Sequence, residues 1–83
     1  MSFMFETYLK WPSDPLVERS ISQIAERHGG FLEYRHEMCF DGANITTVEL
    51  TFEFADEASA TAAEQEVQKA GHHTEGVAPY GDD

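Results

Sequence analysis

The residues best placed by type and spacing to do chemistry in this chain are carboxylates. Glu6 lies near the N-terminus, and Glu33 with Glu37, then Glu49 with Glu53, recur where polar and apolar residues alternate. In extended chain, residues an even number apart share one face, so each pair sets two negative charges on the same side of the sheet. Carboxylates held close can serve as general acid and base when burial and like charge drive their pKa values apart. Left in water, the same groups are an array of fixed negative charge. Arg35 stands as a lone cation among them, and a guanidinium can grip an anionic ligand bidentately. With Tyr8, His36 and Trp11 it makes a candidate ligand-lining set.

Other chemistries find less support. His72 and His73 are adjacent, so in extended chain their rings point to opposite faces and cannot chelate one ion together. His28 suits the last turn of a helix, where the dipole favours an imidazolium, and His36 suits a half-buried strand. The single cysteine, Cys39, follows Glu37, whose charge raises a thiol pKa and so disfavours a reactive thiolate. None of Ser2, Ser13, Ser20, Ser22 and Ser59 lies in a nucleophile elbow. Gly29-Gly30 comes after a helical stretch, whereas anion-binding loops precede one. No catalytic residue, metal site or cofactor is therefore assigned.

These residues need elements to hold them. Phe3, Phe5, Leu9 and Trp11 alternate with Met4, Glu6, Tyr8 and Lys10, with Thr7 interrupting the apolar set, which is strand period with one buried face. Asp14-Pro15 reads as an N-cap followed by proline at the first helical position. The helix runs to about His28, with Leu16, Val17, Ile21, Ile24 and Ala25 as its apolar stripe, and Gly29-Gly30 closes it. From Phe31 to Phe40 the chain alternates again. Strict alternation puts Leu32, Tyr34, His36, Met38 and Phe40 on the apolar side and Glu33, Arg35, Glu37 and Cys39 on the other. Asp41-Gly42-Ala43-Asn44 supplies a hairpin loop, so the following run, with Thr46, Val48, Leu50, Phe52 and Phe54 inward, is an antiparallel neighbour. Asp56 caps a second helix with Ala60, Ala63, Val67 and Ala70 as its stripe, ended by Gly71. Residues 72–83 hold Val77 and Tyr80 but also Gly76, Pro79 and Gly81, which predicts a short edge strand and a disordered tail at 81–83.

Strand, helix, hairpin, helix, strand in this order predicts a single α+β domain over residues 1–83, a ferredoxin-like β-α-β-β-α-β plait. Right-handed crossovers place both helices on one face of a four-stranded antiparallel sheet of order 4-1-3-2. The other face stays open. It would carry Glu6, Glu49 and Glu53 from the central strands, with Glu33, Glu37 and Arg35 beside them. RNA-recognition domains of this topology stack bases on exposed aromatics among basic residues; here Tyr8 is the only aromatic expected on the central strands and the surroundings are acidic.

Sixteen acidic residues against five basic ones give a net charge of −11. Such a charge repels phosphate backbones and anionic lipid out to roughly 8 Å, the Debye length at physiological salt. Direct nucleic-acid or membrane partners are not expected; the charge is compatible with a basic protein partner, though keeping a small domain in solution is reason enough for it. The N-terminus has no signal-peptide pattern and no apolar run is long enough for a membrane span, which makes cytoplasm the expected location. So small a core makes a homodimer a reasonable expectation. Packing the open faces together would bury Glu6, Glu49 and Glu53 near their symmetry mates, so an edge-strand or helix dimer is less costly.

The stretch Val48-Glu49-Leu50-Thr51-Phe52-Glu53-Phe54, followed by Asp56-Glu57 and an alanine-rich helix, resembles the second half of small acidic regulators such as the ribonuclease E inhibitor B family. The resemblance carries no site residues. The functional expectation is a non-catalytic regulatory or protein-interaction domain acting through its acidic sheet face or a homodimer interface. Two alternatives stand beside it. One is a small-ligand-binding or enzymatic dimer of the α+β barrel type; the other is an acidic inhibitor imitating nucleic acid through Glu33, Glu37, Glu49 and Glu53.

Overall fold

The computed structural model describes residues 1–40 and 42–81. Asp41 of the expected hairpin loop, and Asp82 and Asp83 of the expected tail, lie outside the described residues. The elements are β1 (Ser2–Lys10), α1 (Pro15–Arg27), β2 (Phe31–Met38), β3 (Thr47–Phe54), α2 (Glu57–Lys69) and β4 (His73–Tyr80). All neighbouring strands are antiparallel in the order β2-β3-β1-β4, which is the expected plait. No helix among the described residues is long and apolar enough to cross a membrane.

Helix ends follow from local chemistry. The Asp14 carboxylate accepts from the Leu16 N–H at 2.9 Å, and Asp56 accepts from Ser59 N–H at 2.8 Å, each satisfying an orphan donor of the first turn. At the end of α1, Gly29 takes φ +84° while the Gly30 N–H donates to the Ala25 carbonyl at 2.9 Å. Gly30 is fixed by space rather than by φ. A methyl group there would lie 2.3 Å from the Phe54 ring.

The core fills the space between sheet and helices. Phe5, Val48, Leu50, Phe52 and Phe54 meet Ile21, Ile24 and Ala25 of α1 and Ala60, Ala63 and Val67 of α2. Phe5 lies 5.6 Å from Phe52 and 5.7 Å from Phe54 between ring centroids, spacings at which aromatic pairs add to plain burial. Thr7, which breaks the apolar alternation of β1, is fully buried and its hydroxyl donates to the His73 carbonyl at 2.6 Å. Leu16 departs from its expected place: it is exposed, because at 100° per residue it lies roughly 80–140° round the helix from Val17, Ile21 and Ile24. Ala70 is exposed too, serving as the C-cap of α2.

Two strands differ from the alternation pattern. The last one, β4, is an edge strand as expected but spans eight residues rather than a short stub, accommodating Gly76 at an irregularity opposite the Met4–Glu6 stretch. In β2 the register slips between Leu32 and Tyr34: Leu32 pairs with Phe52, yet Tyr34 pairs with Thr51 and Arg35 with Leu50. An extra residue in one strand reverses the facing of everything after it. Tyr34, His36 and Met38 consequently lie on the open face, and Arg35 and Glu37 on the helix side. This is the reverse of the expectation for all five.

Candidate functional site

Pairing across the sheet arranges the open face in rows. One row runs His36, Glu49, Tyr8, His73; the next runs Tyr34, Thr51, Glu6, Glu75; a third runs Phe31, Glu53, Met4, Ala78. The central strands β1 and β3 are flanked on both sides, so even their outward side chains are shielded. Glu49 is 9% exposed and Thr51 4%, while the edge residues Phe31 and Tyr34 are about half exposed. A carboxyl group so deeply set on an open sheet is unusual, because burial opposes its charge.

Its partners explain how it is held. The Tyr8 hydroxyl lies 3.2 Å from Glu49 Oε2 and 3.2 Å from Glu6 Oε1. The neighbouring Glu49 carboxyl, and then burial, lift the Glu6 pKa above its ordinary value. Burial and then the two carboxylates push the Tyr8 hydroxyl up as well. His36 Nδ1 stands 3.9 Å from Glu49, and His73 pairs with Glu75 at 3.1 Å. The Tyr8 and His73 rings, 6.2 Å apart, and the Tyr34 and His36 rings, 5.6 Å apart, frame the carboxyls on either side. At the end of the face, Ser2 donates to Glu53 at 2.5 Å and the Tyr80 hydroxyl donates to Glu33 at 2.8 Å.

Of the expected site residues, Glu6, Glu33, Glu49, Glu53, Tyr8 and His36 share this face. Arg35 and Glu37 do not join them. Arg35 donates from Nε and Nη2 to Glu18 of α1, at 2.8 and 3.1 Å, and from Nη1 to Glu37 at 2.7 Å. These two carboxylates raise its pKa, and Arg35 in turn lowers that of Glu18. The guanidinium pictured as an anion holder among the sheet carboxylates instead fastens β2 to α1. Trp11 lies beyond β1, its backbone N–H donating to the Thr46 carbonyl at 3.1 Å. Several members of the face were missed from sequence, Met38 among them. Tyr34 is hidden by the slip in β2, and His73, Glu75 and Tyr80 by the weak strand signal of β4. Adjacent Phe31-Leu32, two apolar residues breaking the alternation at the start of β2, is the one trace of that irregularity.

The arrangement presents charge and aromatic edges, and no pocket forms among the described residues. Nor do three or more His, Cys, Asp or Glu side chains among them converge as a metal site would require. Comparison with protein-family models, with curated proteins and with solved structures returns no match.

Proposed function

We propose that this chain is a non-catalytic protein-interaction module whose open sheet face receives a basic segment of a partner protein. The imbalance of charge on that face carries the reading. Glu6, Glu33, Glu49, Glu53 and Glu75 lie there against Lys10, the only lysine or arginine side chain on the face among the described residues. On the other side of the sheet Arg35 and Arg27 are taken up by Glu18, Glu37 and Glu66. Cations are thus spent where the helices pack and withheld where the sheet is open. An external guanidinium or ammonium group would supply the missing charge, and the half-exposed Phe31 and Tyr34 give it aromatic edges to lie against. Self-association through the same face would bring ten carboxylates together and is the less favourable use of it.

Calorimetric titration with nona-arginine, at low and at physiological ionic strength, tests the reading. Binding that weakens steeply with salt, and that Glu49→Gln with Glu53→Gln reduces while the exposed helix substitution Glu26→Gln does not, is the expected result. Equal sensitivity to all three positions would reject a dedicated face.

A further inference from the structure

The two edges of the sheet differ. An edge strand turns every second residue's backbone N–H and C=O away from its one neighbour, ready for a further strand, and folds commonly blunt such edges with proline, lysine, bulges or a covering helix. β4 is blunted in three ways. Pro79 has no N–H, the register breaks opposite Met4–Glu6, and Thr74 is tied to α2, donating to Glu64 at 3.0 Å and accepting from Gln68 at 2.7 Å. In β2 the irregularity ends at Tyr34, and Tyr34 through Met38 then pair without a break with Thr51 through Thr47. The strand contains no proline, glycine or lysine, and every residue from Phe31 to Glu37 is exposed. No strand among the described residues lies beyond it.

The charge beside this edge says what fits it. On the open side, a strand added to β2 would set alternate side chains against Tyr34 and His36, whose rings lie 5.6 Å apart, with Glu49 3.9 Å from His36. Two strand spacings, about 10 Å, separate that added strand from β3. An arginine laid over the two rings spans much of this gap, and its planar guanidinium suits aromatic faces. On the helix side the neighbours are Arg35 and Glu37, and there Arg35 already holds Glu18 and Glu37. A cation is therefore favoured at one set of alternate positions and opposed by Arg35 at the other. A second copy of the chain would bring further Glu33, Glu49 and Glu53 side chains towards a face already short of cations, so a basic segment is the better fit. We propose that this segment enters as a fifth strand on β2, hydrogen-bonded along Tyr34–Met38, with cations at every second position turned to the open side. The proposal rests on the docking reading and specifies how the partner is held.

Calorimetric titration of the unaltered chain with an eight-residue peptide alternating arginine and threonine tests the mode of binding. In an added strand the N–H groups facing β2 all belong to alternate residues. Methylating the backbone amides of the threonines or, in a separate peptide, those of the arginines keeps the charge and blocks only one set. One methylated peptide should lose about tenfold or more in affinity, through two or three blocked hydrogen bonds, while the other binds like the parent. The same residues in block order, arginines first, should bind about threefold or more weakly, because half of the cations then face Arg35. Amide hydrogen exchange within Tyr34–Met38 should slow when the parent peptide binds, with β4 unchanged. Equal affinities of the two methylated peptides overturn strand addition; nona-arginine binding that still weakens with salt would then leave the docking face standing. Failure of both the alternating peptide and nona-arginine to bind removes the two readings together. Slow exchange at Tyr34–Met38 in the free chain, with a dimeric mass, would overturn the proposal by assigning the edge to a second copy.

Discussion

The two sides of the sheet treat their carboxylates in opposite ways. On the helix side Glu18 is answered by Arg35, Glu66 by Arg27 and His28, and Glu64 by the Thr74 hydroxyl at 3.0 Å. On the open side Glu6 and Glu49 answer one another through Tyr8, and Glu33 and Glu53 receive only hydroxyls. The same strand, β3, carries both patterns, since Val48, Leu50, Phe52 and Phe54 face the core while Glu49 and Glu53 face outward. The lesson is that stability is built on one side and unmatched charge is kept on the other, which is what a docking face requires.

Substitutions on β3 probe this division most severely. Phe52→Ala, which empties a fully buried site beside Phe5, should cost about 3–5 kcal/mol in urea unfolding. Glu49→Gln, three positions away, should change stability by less than about 1 kcal/mol, because it removes a repelling charge rather than a packed group. A large loss from Glu49→Gln would mean that the open face is structural. Next in size is Gly30→Ala, whose methyl group must displace the Phe54 ring at a cost of about 1–3 kcal/mol, seen as a lowered thermal midpoint. Removing two face charges, in Glu49→Gln with Glu53→Gln, should weaken nona-arginine binding about tenfold at low salt, near 0.7 kcal/mol per charge.

Smallest, but most diagnostic, is the sign of the pH dependence. Arg27, then His28, holds Glu66 down to about 2, and Arg35 lowers Glu18. A carboxyl depressed by folding stabilises above its unfolded value of about 4.5 and loses that contribution as pH falls towards the folded value. Glu6 is raised, so the folded chain holds its proton longer than the unfolded chain does, and stability falls as pH climbs from about 4.5 through the raised value. Urea midpoints measured against pH should therefore lose part of their acid-side decline in Glu66→Gln and part of their decline above 4.5 in Glu6→Gln. The same sign in both variants would erase the contrast between the two sides.

Most of the architecture was legible because period-two and helical stripes are strong where burial is one-sided. The outward residues of β1 and β3, Glu6, Tyr8, Glu49 and Glu53, were placed correctly by alternation alone. Alternation failed in β2, where one extra residue reversed Arg35 and Glu37 with Tyr34 and His36; an edge strand tolerates such a slip because only one neighbour enforces its register. The Glu6–Tyr8–Glu49 centre could not be read in sequence either, since it joins residues 41 positions apart through a pairing register that composition does not encode.

Mapping nona-arginine onto the chain by amide and side-chain NMR shifts tests the division of labour most directly. Shifts gathered on Glu6, Tyr8, Tyr34, His36, Glu49 and Glu53, with α1 and α2 unmoved, are the predicted outcome. Shifts centred on the outer surfaces of the helices would contradict it.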